Sequence, residues 1–149
     1  MHQASVLKHE LQTTVVGTYN GGHCAHWDAL SRCQLTVTLD GLVLHHEVPR
    51  GLFRKTEQQL VFSVPLGQLV WFGWKPLGSW RHPEFRAEGY DVHEIEFHTL
   101  DHEGLELHWS ITAREEVSPH RRRKQTQSVR SVINNLKACT HEYARANGA

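Results

Sequence analysis

The strongest constraint on this chain is the alternation of apolar and polar residues on both sides of Asp40-Gly41. The run CQLTVTL precedes these two residues, and the run LVLHHEV follows them. Successive side chains of a β-strand point to opposite faces, and Asp-Gly between two alternating runs is typical of a tight hairpin. With Asp40-Gly41 as a two-residue turn, the sequence predicts a hairpin with one apolar face. Its predicted cross-strand pairs are Leu39 with Leu42, Val37 with Leu44 and Leu35 with His46.

A second alternating hairpin is predicted over residues 92–112, where VHEIEFHTL and LELHWSIT flank the sequence DHEG. Keeping its apolar faces together requires an odd loop with Gly104 in a left-handed conformation. The same register predicts that His98 lies opposite His108 on the outer face, beside Glu96 and Glu106. The predicted pairs of the inner face are Thr99 with Leu107, Phe97 with Trp109 and Ile95 with Ile111.

Three other segments complete the predicted β-structure. Residues 6–16 alternate as a strand does, although Leu7 and Leu11 also share a helical face, and we interpret them as a strand. Residues 60–64 and 69–74 are apolar almost throughout. They predict a further hairpin whose two strands are covered on both faces.

The end of the chain carries a helical pattern. Apolar residues recur there at three- and four-residue spacing, which predicts an amphipathic helix over residues 128–146. A β core over residues 6–113 and a charged linker over residues 114–127 precede it, and 149 residues is a common size for one domain. The predicted core consists of Leu35, Val37, Leu44, Phe62, Phe97, Trp109, Ile111, Val132, Ile133 and Leu136.

Six to seven strands in hairpins followed by one helix predict a mainly β domain. We expect a small antiparallel β-barrel or sandwich whose open end is capped by the C-terminal helix. This order resembles the pleckstrin-homology superfold, which implies a bent sheet covered by the last helix. The alternative is a calycin-like barrel, because Gly17-Thr18-Tyr19 is similar to the Gly-x-Trp opening of lipocalins and nitrobindins. Neither fold fixes a function.

Charge and cysteine content narrow the classes of function. The chain has 16 basic and 16 acidic residues, whereas nucleic-acid binding normally depends on a basic surface. The three cysteines, Cys24, Cys33 and Cys139, cannot all pair within the chain, and this odd count indicates a reducing compartment. No apolar stretch approaches the roughly 18–20 residues of a membrane span. We therefore expect a cytoplasmic protein that neither binds nucleic acid nor spans a membrane.

The thirteen histidines suggest metal binding at two places. His23, Cys24 and His26 offer imidazole and thiolate, both of which ligate Zn²⁺. We favour a surface loop there, and a metal site is the alternative. His98 and His108 are predicted to be opposed, with Cβ atoms about 4.5–5.5 Å apart, so that two imidazoles can share a metal. A solvated outer face is the interpretation we favour there, and the shared metal is the alternative. No cofactor is expected; the alternative is Zn²⁺ at one of these places.

A long irregular segment, residues 75–91, is the predicted interaction surface. Loops of this length are often functional, and aromatic residues with arginine are enriched at binding hot spots. The alternative is that its rings close one end of the β core. The candidate binding residues are Trp80, Arg81, Phe85, Arg86 and Tyr90, together with Arg121, Arg122 and Arg123 from the basic run before the helix.

The sequence carries no catalytic signature. It has no Gly-x-Ser-x-Gly elbow, no phosphate-binding glycine loop and no His-Glu-x-x-His motif. We therefore expect a non-catalytic module that binds another protein or a second copy of itself. The alternative is a barrel that holds a small ligand or a metal through inward-facing histidines such as His9 and His46.

Overall fold

The fold is mainly β, with one C-terminal helix. A computed structural model describes residues 12–51, 55–78, 90–116 and 129–147. A short 3-10 turn, Leu66–Gln68, lies between the fourth and fifth strands. The predicted helix is confirmed, and the predicted linker lies largely outside the described residues. The elements are β1 (Thr13–Tyr19), β2 (Leu30–Val37), β3 (Gly41–Arg50), β4 (Lys55–Pro65), β5 (Leu69–Gly78), β6 (Tyr90–Leu100), β7 (Glu106–Glu116) and α1 (Val129–Ala146).

All seven strands form one antiparallel sheet in the order β4-β3-β2-β1-β7-β6-β5. Because β4 and β5 are the two ends of this order, the sheet is open: of the expected barrel or sandwich, the structure confirms the mainly antiparallel β-structure but not closure into a barrel. Two meanders, β1–β4 and β5–β7, meet where Gly17, Thr18 and Tyr19 pair with β7. A Cβ on Gly17 would lie 2.1 Å from the carbonyl oxygen of Thr112, so this junction requires glycine.

The predicted register of the β6–β7 hairpin is confirmed. Phe97 pairs with Trp109, and His98 pairs with His108. Gly104 has a φ of 84°, the left-handed conformation that the odd loop demands. Asp101 organises the loop, since its carboxylate accepts the backbone N–H groups of Glu103 and Leu105, each at 2.8 Å. These backbone hydrogen bonds, that of Leu105 first, lower the pKa of Asp101.

The β2–β3 hairpin is present, but its predicted register is wrong by two residues. Val37 pairs with Leu42 and Leu35 with Leu44. Leu39 and Asp40 form the turn, because Thr38 and Gly41 exchange backbone hydrogen bonds of 2.9 and 3.2 Å. Gly41 instead belongs to β3, where a Cβ would lie 2.1 Å from the carbonyl oxygen of Val64 in β4. A shift of two residues preserves the face of every side chain, so the core prediction was unaffected.

The predicted hairpin between residues 60–64 and 69–74 is wrong. The first of these segments belongs to β4, which pairs with β3, and the second to β5, which pairs with β6 at the other end of the sheet. The connecting turn buries Leu66 against the core. Both strands are edges, and neither is covered on both faces: Leu60 is 63% exposed and Trp71 is 47% exposed. An apolar run alone does not distinguish a covered strand from an exposed edge.

The core is formed by the inner face of the sheet and by one face of α1. All ten residues predicted for the core are buried. A polar contact also ties the helix to the sheet: the amide nitrogen of Asn135 donates to Thr13 Oγ1 at 2.7 Å and to the Val37 carbonyl at 3.2 Å. Burial in this layer raises the pKa of the Cys139 thiol to about 11. Among the described residues, no helix has the length and apolar character needed to cross a membrane.

Candidate functional site

The outer face of β5, β6 and β7 carries a row of three rings. The strand registers place Trp71 opposite His98, and His98 opposite His108. The two imidazole rings are stacked, with centroids 3.7 Å apart and planes inclined by 7°. The Trp71 indole packs on the other side of His98 at 4.6 Å. His98 is therefore held between a ring from each neighbouring strand.

Two carboxylates face these imidazoles. Glu96 Oε1 lies 3.5 Å from His98 Nε2, and Glu106 Oε2 lies 3.0 Å from His108 Nε2. Ligand atoms of His98, Glu106 and His108 all lie within 4.8 Å of one another. In the part of the chain that the structure describes, this is the one group of three or more such residues with the spacing of a metal site. We refer to these three residues as the histidine cluster.

The inner face of the same hairpin fixes the position of the histidine cluster. Phe97 and Trp109 stack at 4.5 Å beneath it and are almost fully buried. The indole N–H of Trp109 donates to Thr99 Oγ1 at 3.0 Å, which satisfies the one polar group of that ring. Because side chains alternate along both strands, this packing also sets the outer row.

The structure places the other candidate metal residues differently. His23 faces the core, stacked on Phe62 at 4.0 Å, and its Nδ1 accepts the Ala25 N–H at 3.0 Å. Burial lowers the pKa of His23. Cys24 is exposed, while His26 is half-buried and its carbonyl accepts the Tyr19 hydroxyl. A metal site at His23, Cys24 and His26 stays a prediction.

A buried polar network at the far end of the inner face was missed. The Trp74 indole N–H donates to His93 Nδ1 at 3.1 Å, and His93 Nε2 lies 3.2 Å from Glu115 Oε2. Because Nδ1 is an acceptor here, the neutral ring carries its proton on Nε2, which is buried and, among the described residues, has no hydrogen bond of suitable geometry despite its closeness to the carboxylate. Arg130 lies over the Trp74 ring at 5.8 Å. The alternation predicted for the last hairpin already places His93 on the same face as Ile95, but Glu115 was assigned to the linker, so their contact was not foreseen.

Strand β5 exposes apolar side chains along its whole length. We call the exposed residues of this strand the β5 edge surface. Among the described residues, β5 pairs only with β6. Bulges interrupt the pairing between Leu69 and Trp71 and between Pro76 and Gly78. The exposed fractions are 52% for Val70, 47% for Trp71, 37% for Trp74 and 38% for Leu77.

Most of the predicted interaction segment cannot be compared with the structure. Residues 75–78 belong to β5, so the predicted loop begins later than expected. Tyr90 begins β6. His46 is half-buried opposite Cys33, at the end of the inner face, whereas His9 lies outside the described residues. Also outside them are Trp80, Arg81, Phe85, Arg86, Arg121, Arg122 and Arg123.

Comparison of the sequence with known proteins gives no family for this chain. The chain matches no protein-family model, and no curated protein sequence matches it. Its class is therefore defined by geometry: an open, mainly β domain with one C-terminal helix, an outer histidine cluster and an apolar edge strand.

Proposed function

We propose that this chain is a non-catalytic module that binds another protein through the β5 edge surface. The observation that carries the proposal is the exposure of four apolar residues on one edge strand. Edge strands are normally protected by charged or polar side chains, and contiguous exposed apolar surface marks interaction sites. The opposite edge follows the normal pattern, since Thr56, Glu57, Gln58 and Gln59 are its exposed residues before Leu60.

The shape of β5 favours binding through side chains over addition of a strand. Its two bulges leave Val70 and Leu77 without cross-strand partners, and Pro76 has no N–H to offer a new strand. Trp71 and Trp74 lie at register positions on opposite faces, opposite His98 and Ile95. A partner that contacts both rings must therefore contact both faces of the sheet at its β5 edge.

Trp74 is held in place before any partner binds. Its indole N–H is already satisfied by His93, and Arg130 packs over its ring. An anchor whose orientation is fixed in advance loses less conformational entropy on binding. Tryptophan is also enriched among the residues that dominate binding energy.

The charged residues beside the β5 edge surface indicate which charges a partner should carry. Glu94 and Glu96 occupy the neighbouring strand on the outer face, at register positions opposite Lys75 and Gly73. A partner with apolar side chains flanked by lysine or arginine would complement this surface. The binding residues predicted from the sequence, Trp80, Arg81, Phe85, Arg86 and Tyr90, follow β5 along the chain, and we keep them as candidates for contact with the same partner.

We also propose a pleckstrin-homology-like architecture for the domain. Seven antiparallel strands in one sheet followed by a C-terminal helix support this assignment. The calycin-like alternative requires closure of the sheet, which the strand order does not support. A ligand held by inward histidines has less support, because large side chains such as Trp109, Tyr19 and Phe97 occupy the inner face.

The test compares the two edges of the sheet. A Val70→Ser/Trp71→Ala variant removes apolar area from β5, and Leu60→Ser, at a site 63% exposed, is the matched control on β4. Proteins retained by tagged wild-type chain in its native cells are identified by quantitative mass spectrometry, and the partner's affinity is then measured by calorimetry. We expect the β5 variant to weaken binding by more than about 2 kcal/mol, roughly 30-fold.

Leu60→Ser should leave both affinity and thermal unfolding unchanged. A partner retained equally by wild type and the β5 variant would contradict the proposal, as would the absence of any retained protein. If the retained protein is a second copy of this chain, sedimentation velocity will show a dimer that the β5 variant loses. A Trp80→Ala/Arg86→Ala variant then tests whether the adjoining segment takes part.

A further inference from the structure

We propose that the histidine cluster, His98, Glu106 and His108, is a Zn²⁺ site on the outer face of the β6–β7 hairpin. It goes beyond the proposed protein binding and does not depend on it. The cluster offers two imidazole nitrogens and one carboxylate oxygen. Two histidines and one glutamate are a ligand set that zinc accepts, with water in the fourth position of the tetrahedron.

The distances are compatible with one tetrahedral ion. Zinc binds nitrogen and oxygen at about 2.0–2.2 Å, so two ligands of one ion lie roughly 3.4 Å apart. The ligand atoms of the cluster lie within 4.8 Å of one another. The largest separation must therefore shrink by at most about 1.4 Å, which rotation of side chains can supply without moving the backbone.

Neighbouring residues hold the ligands in position. Trp71 packs on the free side of the His98 ring, and its indole extends over Gly73, where a Cβ would lie only 2.3 Å from Trp71 Cη2. Glu96 lies 3.5 Å from His98 Nε2 and can orient that ring, as carboxylates commonly do beside metal-bound histidines. The side chains of His108 and Glu106 are 54% and 46% exposed, so an ion and its water can enter from solvent.

The register makes this arrangement a property of the fold. His98 and His108 are directly paired, and the pair beneath them, Phe97 and Trp109, fixes the two strands in the core. The ligands thus project from rigid strands, which position metal ligands more accurately than loops do. Bound Zn²⁺ would also offset the charge of Glu96 and Glu106 beside Trp71.

The experiment is calorimetric titration of ZnCl₂ into metal-free protein that carries no histidine tag. We expect saturable binding of one ion by wild type. His98→Ala and His108→Ala should each weaken it at least about tenfold, and Glu106→Gln should weaken it less. The matched control is His102→Ala, because His102 lies in the turn of the same hairpin with its side chain 82% exposed, outside the cluster.

A second control addresses the other histidine-rich loop. A Cys24→Ser/His26→Ala variant should bind Zn²⁺ as wild type does, and the Co²⁺-substituted protein should show no thiolate charge-transfer absorption. The imidazole NMR signals of His98 and His108 should shift during titration while that of His102 does not. The proposal is wrong if wild type binds no ion, if both cluster variants bind as wild type does, or if affinity is lost in the Cys24→Ser/His26→Ala variant.

Discussion

The two faces of the β6–β7 hairpin use the same backbone register for different purposes. On the inner face, Phe97 and Trp109 stack at 4.5 Å and are excluded from solvent. On the outer face, at the next cross-strand pair toward the turn, His98 and His108 stack at 3.7 Å with side chains 24% and 54% exposed. Both pairs are aromatic and directly opposed. Only the outer pair presents ring nitrogens that solvent can reach.

In this hairpin the inner face therefore provides stability, and the outer face is available for binding. Burying large rings supplies free energy of folding in proportion to the apolar area removed from water. An exposed cross-strand pair contributes only about 0.2–1 kcal/mol. The outer residues can therefore be exchanged with little cost to the fold, which is what a metal site or a binding surface requires. Three measurements test this difference between the two faces.

The largest effect is expected on the inner face. Trp109→Ala should lower the free energy of unfolding by about 3–5 kcal/mol, because it removes a buried ring and leaves a cavity. It also leaves the Thr99 hydroxyl without its indole donor. Urea unfolding followed by circular dichroism measures the loss, and Phe97→Ala should give a loss in the same range. A loss below about 1 kcal/mol for either variant would mean that the inner pair contributes little to the stability of the hairpin.

An effect of intermediate size is expected at a histidine that belongs to the inner environment. His23 stacks on Phe62 and packs edge-on against Trp109, and burial lowers its pKa although Asp101 acts in the opposite direction. The unfolded chain therefore binds the His23 proton more readily than the folded protein. This contribution to stability is complete above the unfolded value near 6.5 and is lost as the pH falls below it.

The measurement compares wild type with His23→Asn, in which the amide oxygen can still accept the Ala25 N–H. Unfolding free energies recorded between about pH 7.5 and pH 5.5 should fall more steeply for wild type than for the variant. The two proteins differ only at residue 23, so the difference between the two slopes is the informative quantity. Parallel slopes would show that His23 is protonated equally in the folded and unfolded chains.

The hairpin was predictable because its information is local. Within residues 92–112, the alternation of apolar and polar residues and the position of Gly104 together determine the cross-strand register. The sequence therefore predicts both the Phe97–Trp109 and His98–His108 pairs. The helix was predictable for the same reason, since its stripe repeats with the helical period. For the third residue of the cluster, Glu106, the sequence predicted a position beside His108. It did not predict that the Glu106 carboxylate lies close to both imidazole rings.

The arrangement of the meanders was not predictable, because it depends on contacts between distant segments. Nothing local in the sequence pairs Gly17 with Ala113 or links Asn135 to Thr13. The same limit applies to Gly41, which was predicted to be a turn residue. In the structure it belongs to β3, where the absence of a side chain leaves space for the Val64 carbonyl of the neighbouring strand. The β5 edge surface was missed for a related reason: an apolar run has the same sequence whether its faces are covered or exposed.

The smallest effect on stability is expected for the outer pair. His98→Ala, His108→Ala and the double variant form a cycle that isolates the coupling between the two rings. We expect each single variant to lose less than about 1 kcal/mol and the coupling to lie within about 0.2–1 kcal/mol, because both rings keep contact with water. The cycle is measured in metal-free buffer by urea unfolding. With Zn²⁺ present, wild type should gain more stability than any of the three variants, since an ion that binds the folded chain shifts the equilibrium toward it. A loss for the outer variants as large as that for Trp109→Ala would make the histidine row part of the structural core, and the contrast between the two faces would fail.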